Sequence, residues 1–131
     1  MNVVLDTNVI VSAVWSPGRN AGIIVGSVFL GKLTACYDDR IIEEYERVMR
    51  YPKLHFTENE ISAILEPIIK NGFSVIAEPI SDITFIDESD RKFYEVAKSC
   101  DAILITGNLK HYPDDRDVMS LSEFCEKYLA N

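Results

Sequence analysis

The chain has 131 residues, 47% of them hydrophobic and 26% charged, with a formal net charge of −8. Such a length suits one domain over residues 1–131 with one continuous core. The acidic balance argues against broad, sequence-independent coating of nucleic acid, which needs extended Lys/Arg surfaces.

In chain order, Val3-Val4-Leu5 is a short apolar run closed by Asp6-Thr7-Asn8, after which Val9, Ile10, Ala13 and Val14 have helical spacing. A strand followed by a helix is expected. Trp15-Ser16-Pro17-Gly18 breaks that helix, and Asn20 is the expected cap of a second over about 21–30, with Gly31 its stop. Residues 33–37 read as strand two. Ile41, Ile42, Tyr45, Val48 and Met49 then form the stripe of a third helix, with Asp38 or Asp39 as N-cap and Pro52 as terminator. Thr57 and Glu60 have capping-box spacing and open a fourth helix, with Pro67 inside it and Asn71-Gly72 at its stop. A third strand is expected over 73–76, then an irregular segment containing Pro79. A helix over about 89–99 carries Phe93, Tyr94, Val96 and Ala97 and leads into the buried strand-like run 102–105. Val118-Met119 is a minimal strand, and a last helix runs from Leu121 to about 130, capped by Ser120 or Ser122.

The alternation β-α-α-β-α-α-β-α-β-β-α implies a mostly parallel sheet covered by helices on both faces, because parallel neighbours need helical crossovers. In open sheets of this kind ligands bind beyond the carboxyl ends of the strands, where the strand order reverses. The longest apolar stretches fall far below the roughly 20 residues of a membrane span. No basic segment followed by an apolar core opens the chain, so a cytoplasmic protein away from membranes is expected. Cys36, Cys100 and Cys125 are odd in number and show no Cys-x-x-Cys pattern, which reads as buried thiols in a reducing cytosol. His55 and His111 are too far apart in sequence to suggest a metal pair.

Polar residues just after strands therefore carry most weight. Asp6 directly follows the first strand, where a carboxylate would sit at the mouth of the crevice; as a bland alternative it caps the helix that follows, and Asn8 has the same ambiguity. Asp90 falls on a helical wheel between Phe93, Tyr94 and Ala97, on the face expected to be buried, where a carboxylate needs a cation or a donor. Against this stands a first-turn acid favoured by the helix dipole, with Asp87 or Ser89 as cap. On the third helix Glu44 and Glu46 flank the apolar stripe on opposite edges, and wheel geometry does not choose between them. Thr106-Gly107-Asn108 follows the fourth strand as Asp6 follows the first, or is simply a turn of favoured residues. Two strand ends and two helices would thus bring Asp6, Glu44 or Glu46, Asp90 and Asn108 together. Oxygen ligands without sulfur or imidazole suit hard divalent cations such as Mg²⁺ or Mn²⁺, and phosphodiester hydrolysis is the chemistry such a cation serves.

With these residues in place the sequence resembles the PIN-domain family, and within it the bacterial and archaeal toxins of toxin–antitoxin pairs. The likeness runs over essentially the whole chain and rests on Val3-Val4-Leu5-Asp6-Thr7-Asn8-Val9, Ile42-Glu43-Glu44-Tyr45-Glu46-Arg47-Val48, Asp87-Glu88-Ser89-Asp90-Arg91-Lys92-Phe93 and Ile105-Thr106-Gly107-Asn108. The resemblance implies an α/β/α sandwich and a Mg²⁺- or Mn²⁺-dependent endoribonuclease. It also implies an RNA substrate, an antitoxin partner and a homodimer. It maps the family's first three acids to Asp6, Glu44 and Asp90, resolving the choice between Glu44 and Glu46. The fourth acid of the family's Thr-x-Asp pattern falls on Asn108, so this chain departs from the family by one charge, for which Asp87, Asp114 or Asp115 would be the compensating candidates. The implied roles give metal ligation to Asp6, Asp90 and Asn108, orientation or deprotonation of the attacking water to Glu44, and support to Asn8, Asp87 and Thr106.

For an RNA-facing surface the sequence offers Arg19, Arg40, Arg47, Arg50, Lys53, Lys110 and His111, with Trp15 and Tyr112 for stacking. Arg40 and Lys110 are the selected contacts. Because of Asn108, a weakly active or inactive PIN-like domain that works by binding protein is the competing expectation. A haloacid-dehalogenase-like phosphatase would want Asp-x-Asp where the chain has Asp6-Thr7-Asn8, and no Gly-x-Gly-x-x-Gly follows a strand to suggest a dinucleotide site. A phosphotransfer receiver domain is the remaining option.

Overall fold

The apolar runs form five short strands in a computed structural model that describes residues 1–130. They are β1 (Asn2–Leu5), β2 (Thr34–Tyr37), β3 (Phe73–Ser74), β4 (Ile103–Ile105) and β5 (Val118–Met119). All pairings are parallel, in the order β3-β2-β1-β4-β5, with Val3 opposite Ala35, Leu5 opposite Ile105 and Ile105 opposite Met119. The crossovers are made by α1 (Thr7–Trp15), α2 (Asn20–Phe29), α3 (Asp39–Met49), α4 (Glu58–Asn71) and α5 (Arg91–Ser99), and α6 (Leu121–Phe124) follows β5. The architecture is the three-layer α/β/α sandwich expected from the alternation. Val3, Val4, Leu5, Leu104 and Ile105 are all buried, as central strands covered on both faces require. Helix α5 lies on β1, β2 and β4, and its fully buried Phe93 meets the ring of Tyr45 from α3.

Local signals fixed several boundaries. Asp38 caps α3 by accepting a hydrogen bond from the Ile41 amide, at 3.1 Å. Thr57 and Glu60 form the complete capping box of α4, the Thr57 hydroxyl taking the Glu60 amide and the Glu60 carboxylate taking the Thr57 amide. Ser120, rather than Ser122, caps α6. Gly31, just past α2, has a left-handed φ of 78°, as a glycine stop implies.

Four expectations are corrected. Asn20 is the first residue of α2 rather than its cap; Arg19 stands at the N-cap with no side-chain capping bond. The entry is set instead by close packing of Gly22 on the preceding turn, where a Cβ would stand only 2.0 Å from the Pro17 carbonyl oxygen. Strand β3 has two residues rather than four, being an edge strand that pairs with β2 alone and leaves Phe73 exposed. The expected helix over 89–99 opens as a 3₁₀ turn, Glu88–Asp90, and turns α-helical only at Arg91. The last helix changes after Phe124 into a π-helical turn, Cys125–Leu129. Among the described residues, no helix is long and apolar enough to cross a membrane.

Candidate active site

The strand order reverses between β1 and β4, since the chain leaves β1 toward β2 on one side and later adds β4 on the other. Asp6 leaves β1 at that point, its amide bonded to the Ile105 carbonyl at 3.0 Å, and Thr106 leaves β4 beside it. Asp6 occupies the N-cap position of α1, yet its side chain makes no capping bond, so the bland reading of it as a helix cap does not hold. Its Oδ2 instead accepts from the Thr106 hydroxyl at 2.8 Å and the Tyr112 hydroxyl at 2.9 Å. Only 5% of the residue is exposed. Burial pushes the Asp6 carboxyl pKa above the ordinary range, the nearby Asp90 charge adds to that rise, and the two hydroxyl bonds oppose it.

Asp90 stands at the N-cap of α5, again without a capping bond, rather than within the helix on its apolar face. Its Oδ2 lies 3.0 Å from Nδ1 of His111, which sits in a 3₁₀ turn, Leu109–His111, beyond β4. Burial raises the Asp90 pKa, the His111 bond opposes the rise, and the charges of Asp87 and Glu44 add to it. Asp87, by contrast, caps the turn before α5 through the Ser89 amide (3.0 Å) and hydroxyl (2.7 Å), and those bonds hold its pKa low.

Glu44 is buried on α3, whereas Glu46 is half exposed and faces Arg50 at 3.6 Å. Both Glu44 oxygens are engaged: Oε2 accepts from the Thr7 hydroxyl, and Oε1 is 2.6 Å from Nζ of Lys92 on α5. Next to Glu44, the Tyr45 hydroxyl donates to the Leu5 carbonyl, tying α3 to the end of β1. Thr106, completely buried, accepts from the Asn108 amide at 2.9 Å while donating to Asp6. Asn108 itself is exposed, and no hydrogen bond to its side chain occurs among the described residues. Asn8 Oδ1 accepts from the Gly107 amide at 3.0 Å, stitching the turns after β1 and β4 together. The Tyr112 hydroxyl reports how these acids converge: burial raises its pKa most, and the charges of Asp6, Asp90 and Glu44 all raise it further.

Among the described residues, no three His, Cys, Asp or Glu side chains are disposed as a metal cage. The arrangement offers instead the Oδ1 atoms of Asp6 and Asp90, which receive no side-chain donor among the described residues, with Asn108 in the turn whose backbone is bonded to Thr106. That donor set is all oxygen and hard, and it fits Mg²⁺ or Mn²⁺.

The selected RNA contacts part company. Arg40 is committed to Asp38 at 2.7 Å and to Glu95 at 2.9 Å, and Glu95 is buried. Lys110 is exposed in the turn that carries His111 and lines a concavity of about 650 Å³ with Tyr112 and Arg116. Tyr112, expected to stack on a base, is buried with its hydroxyl on Asp6. Asp115 accepts from Tyr94 and pairs with Lys98. Sequence reasoning missed Thr7 and Lys92 and did not connect His111 to Asp90; the first two lie within the motifs around Asp6 and Asp90, whereas the His111 contact spans 21 residues and has no local signature.

A family model described as a PIN domain matches residues 2–110. An uncharacterized protein of Methanocaldococcus jannaschii is 35% identical over 133 residues, covering 98% of this chain and 79% of that protein. No solved structure matches the chain.

Proposed function

The chain belongs to the PIN-domain family, whose members are generally nucleases, and from that premise we propose that it is a divalent-metal-dependent endoribonuclease, the toxin of a toxin–antitoxin pair, acting as a single domain. The observation that carries the reading is the pair Asp6 and Asp90 at the strand-order switch, each with one oxygen fixed by neighbours and the other facing no side-chain donor.

In this reading Asp6, Asp90 and Asn108 hold a Mg²⁺ or Mn²⁺ ion. When bound, such an ion activates water and offsets charge on the scissile phosphate. Thr106 and Tyr112 orient Asp6, and His111 orients Asp90, as hydrogen-bonded supports of ligands do. Glu44 would orient the water that attacks phosphorus in line with the leaving oxygen, and Thr7 keeps its carboxylate turned toward the end of β1. Asn8 accepts from the Gly107 amide and so ties the turn that carries Asn108 to the end of β1. Lys110 contributes to the RNA-facing rim. The supporting residues therefore outnumber the charged ones, which suits a site that lacks one carboxylate.

Calorimetric titration with Mn²⁺, paired with cleavage of a single-stranded RNA, tests the reading. Binding and metal-dependent cleavage are expected, and both are lost in Asp6→Asn. Absence of binding at millimolar Mn²⁺ would overturn the nuclease reading and favour a protein-binding domain, the alternative to which Asn108 points.

A further inference from the structure

Lys92 is the largely buried ammonium of the acidic cluster; Arg47, half exposed, reaches the same Glu44 oxygen only at 3.9 Å, and His111 meets Asp90. The Lys92 ammonium is 2.6 Å from Glu44 Oε1, and both side chains are only 12% exposed. It also donates to the Ser89 carbonyl and lies 5.2 Å from the centre of the Phe93 ring, so three elements of its surroundings fix its position. This differs in kind from the surface pairs of the molecule, such as Arg50 with Glu58, where both side chains are open to solvent. Burying a carboxylate without a partner is costly, and an ammonium removes that cost only while it stays in place.

The consequence concerns how many divalent ions the site takes. Each Glu44 oxygen already has a partner, Oε2 the Thr7 hydroxyl and Oε1 the Lys92 ammonium, so the carboxylate's charge is offset while a lone pair remains to accept from a water. Asp6 and Asp90 each retain Oδ1. The cluster is therefore split into an open half, with Asp6, Asp90 and the neutral Asn108, and a half already neutralised. Two divalent ions would place four positive charges against three carboxylates and one ammonium, a surplus in a largely buried site.

We infer that Lys92 is the resident cation of the Glu44 half, a positioning residue that stands where a second divalent ion would otherwise bind, so that the centre takes a single ion between Asp6 and Asp90. This rests on the metal-dependent reading above. Its ammonium supplies fixed positive charge to the Glu44 half of the cluster and holds the Glu44 carboxylate in place.

The test is metal stoichiometry, read by Mn²⁺ electron paramagnetic resonance and calorimetry on the full chain without RNA. The native protein is expected to bind one Mn²⁺, Lys92→Met two, Lys92→Arg one, and the double variant Glu44→Gln/Lys92→Met one again. Two ions in the native protein would overturn the inference whether or not the variants fold. A count that stays at one in folded Lys92→Met would overturn it while leaving the nuclease reading standing. No Mn²⁺ bound by the native protein would overturn both.

Discussion

Two carboxylates with raised pKa values, Asp6 and Asp90, set the chemistry at the scale of single residues. A raised carboxyl pKa means that the folded state holds its proton more tightly than the unfolded chain. For these groups stability falls as pH rises from the ordinary Asp range to the raised values, and the penalty is constant above that window. Metal-free Asp6→Asn should therefore melt higher than the native protein at neutral pH, the difference shrinking as pH falls, which thermal scans from mildly acid to neutral pH would show. The ion needs both groups ionised, so Mn²⁺ affinity should begin to fall at a pH above the ordinary range of about 4. Tyr112→Phe removes one of the two hydroxyls on Asp6 and should weaken Mn²⁺ binding roughly 10- to 100-fold with little change in fold, as removing the support of a ligand does. Arg40 carries a different expectation. Its guanidinium bridges Asp38 and the buried Glu95, so Arg40→Met should cost about 1–3 kcal/mol in urea unfolding and leave RNA binding unchanged.

Among the secondary elements, helix entries matter most. Helices α1 and α5 both start with an aspartate that does not cap, and their carboxylates are left to the crevice instead. Asp87 takes over capping before α5 through a 3₁₀ turn, which is why Asp90 moves off the helix body to its start. Where no such demand exists, capping is ordinary: Thr57→Ala should lower stability by about 1 kcal/mol, measured by urea denaturation, because α4 loses a complete capping box. Gly22→Ala should be worse, since the added Cβ meets backbone at the Pro17 turn and not a side chain that could rotate away. Helix α4 also contains Pro67, which the sequence placed inside the helix; the element nevertheless continues to Asn71.

For the molecule as a whole, the net charge is −8, and ion pairs engage Arg40, Arg47, Arg50, Arg91, Lys92 and Lys98, six of the thirteen Lys and Arg residues. RNA binding should depend only shallowly on salt, with few phosphates neutralised, and a slope measured from 50 to 200 mM salt would check this. The element order, the parallel sheet and the acids at the strand ends were legible in the sequence, because hydrophobic period, capping residues and turn residues act over a few positions, and β1 and β4 were too apolar to lie at an edge. Asn20, β3 and the start of α5 were misread because packing at Gly22, the edge position of β3 and the capping role of Asp87 are settled by neighbours in space. By itself the sequence determined that Asp6 would follow β1 and Thr106-Gly107-Asn108 would follow β4. Only the tertiary structure decided which carboxylate oxygens stay open. Thr106, Tyr112, His111 and Lys92 reach Asp6, Asp90 and Glu44 from 21 to 106 residues away, and hydrogen bonds over such separations leave no period or spacing in the chain to read.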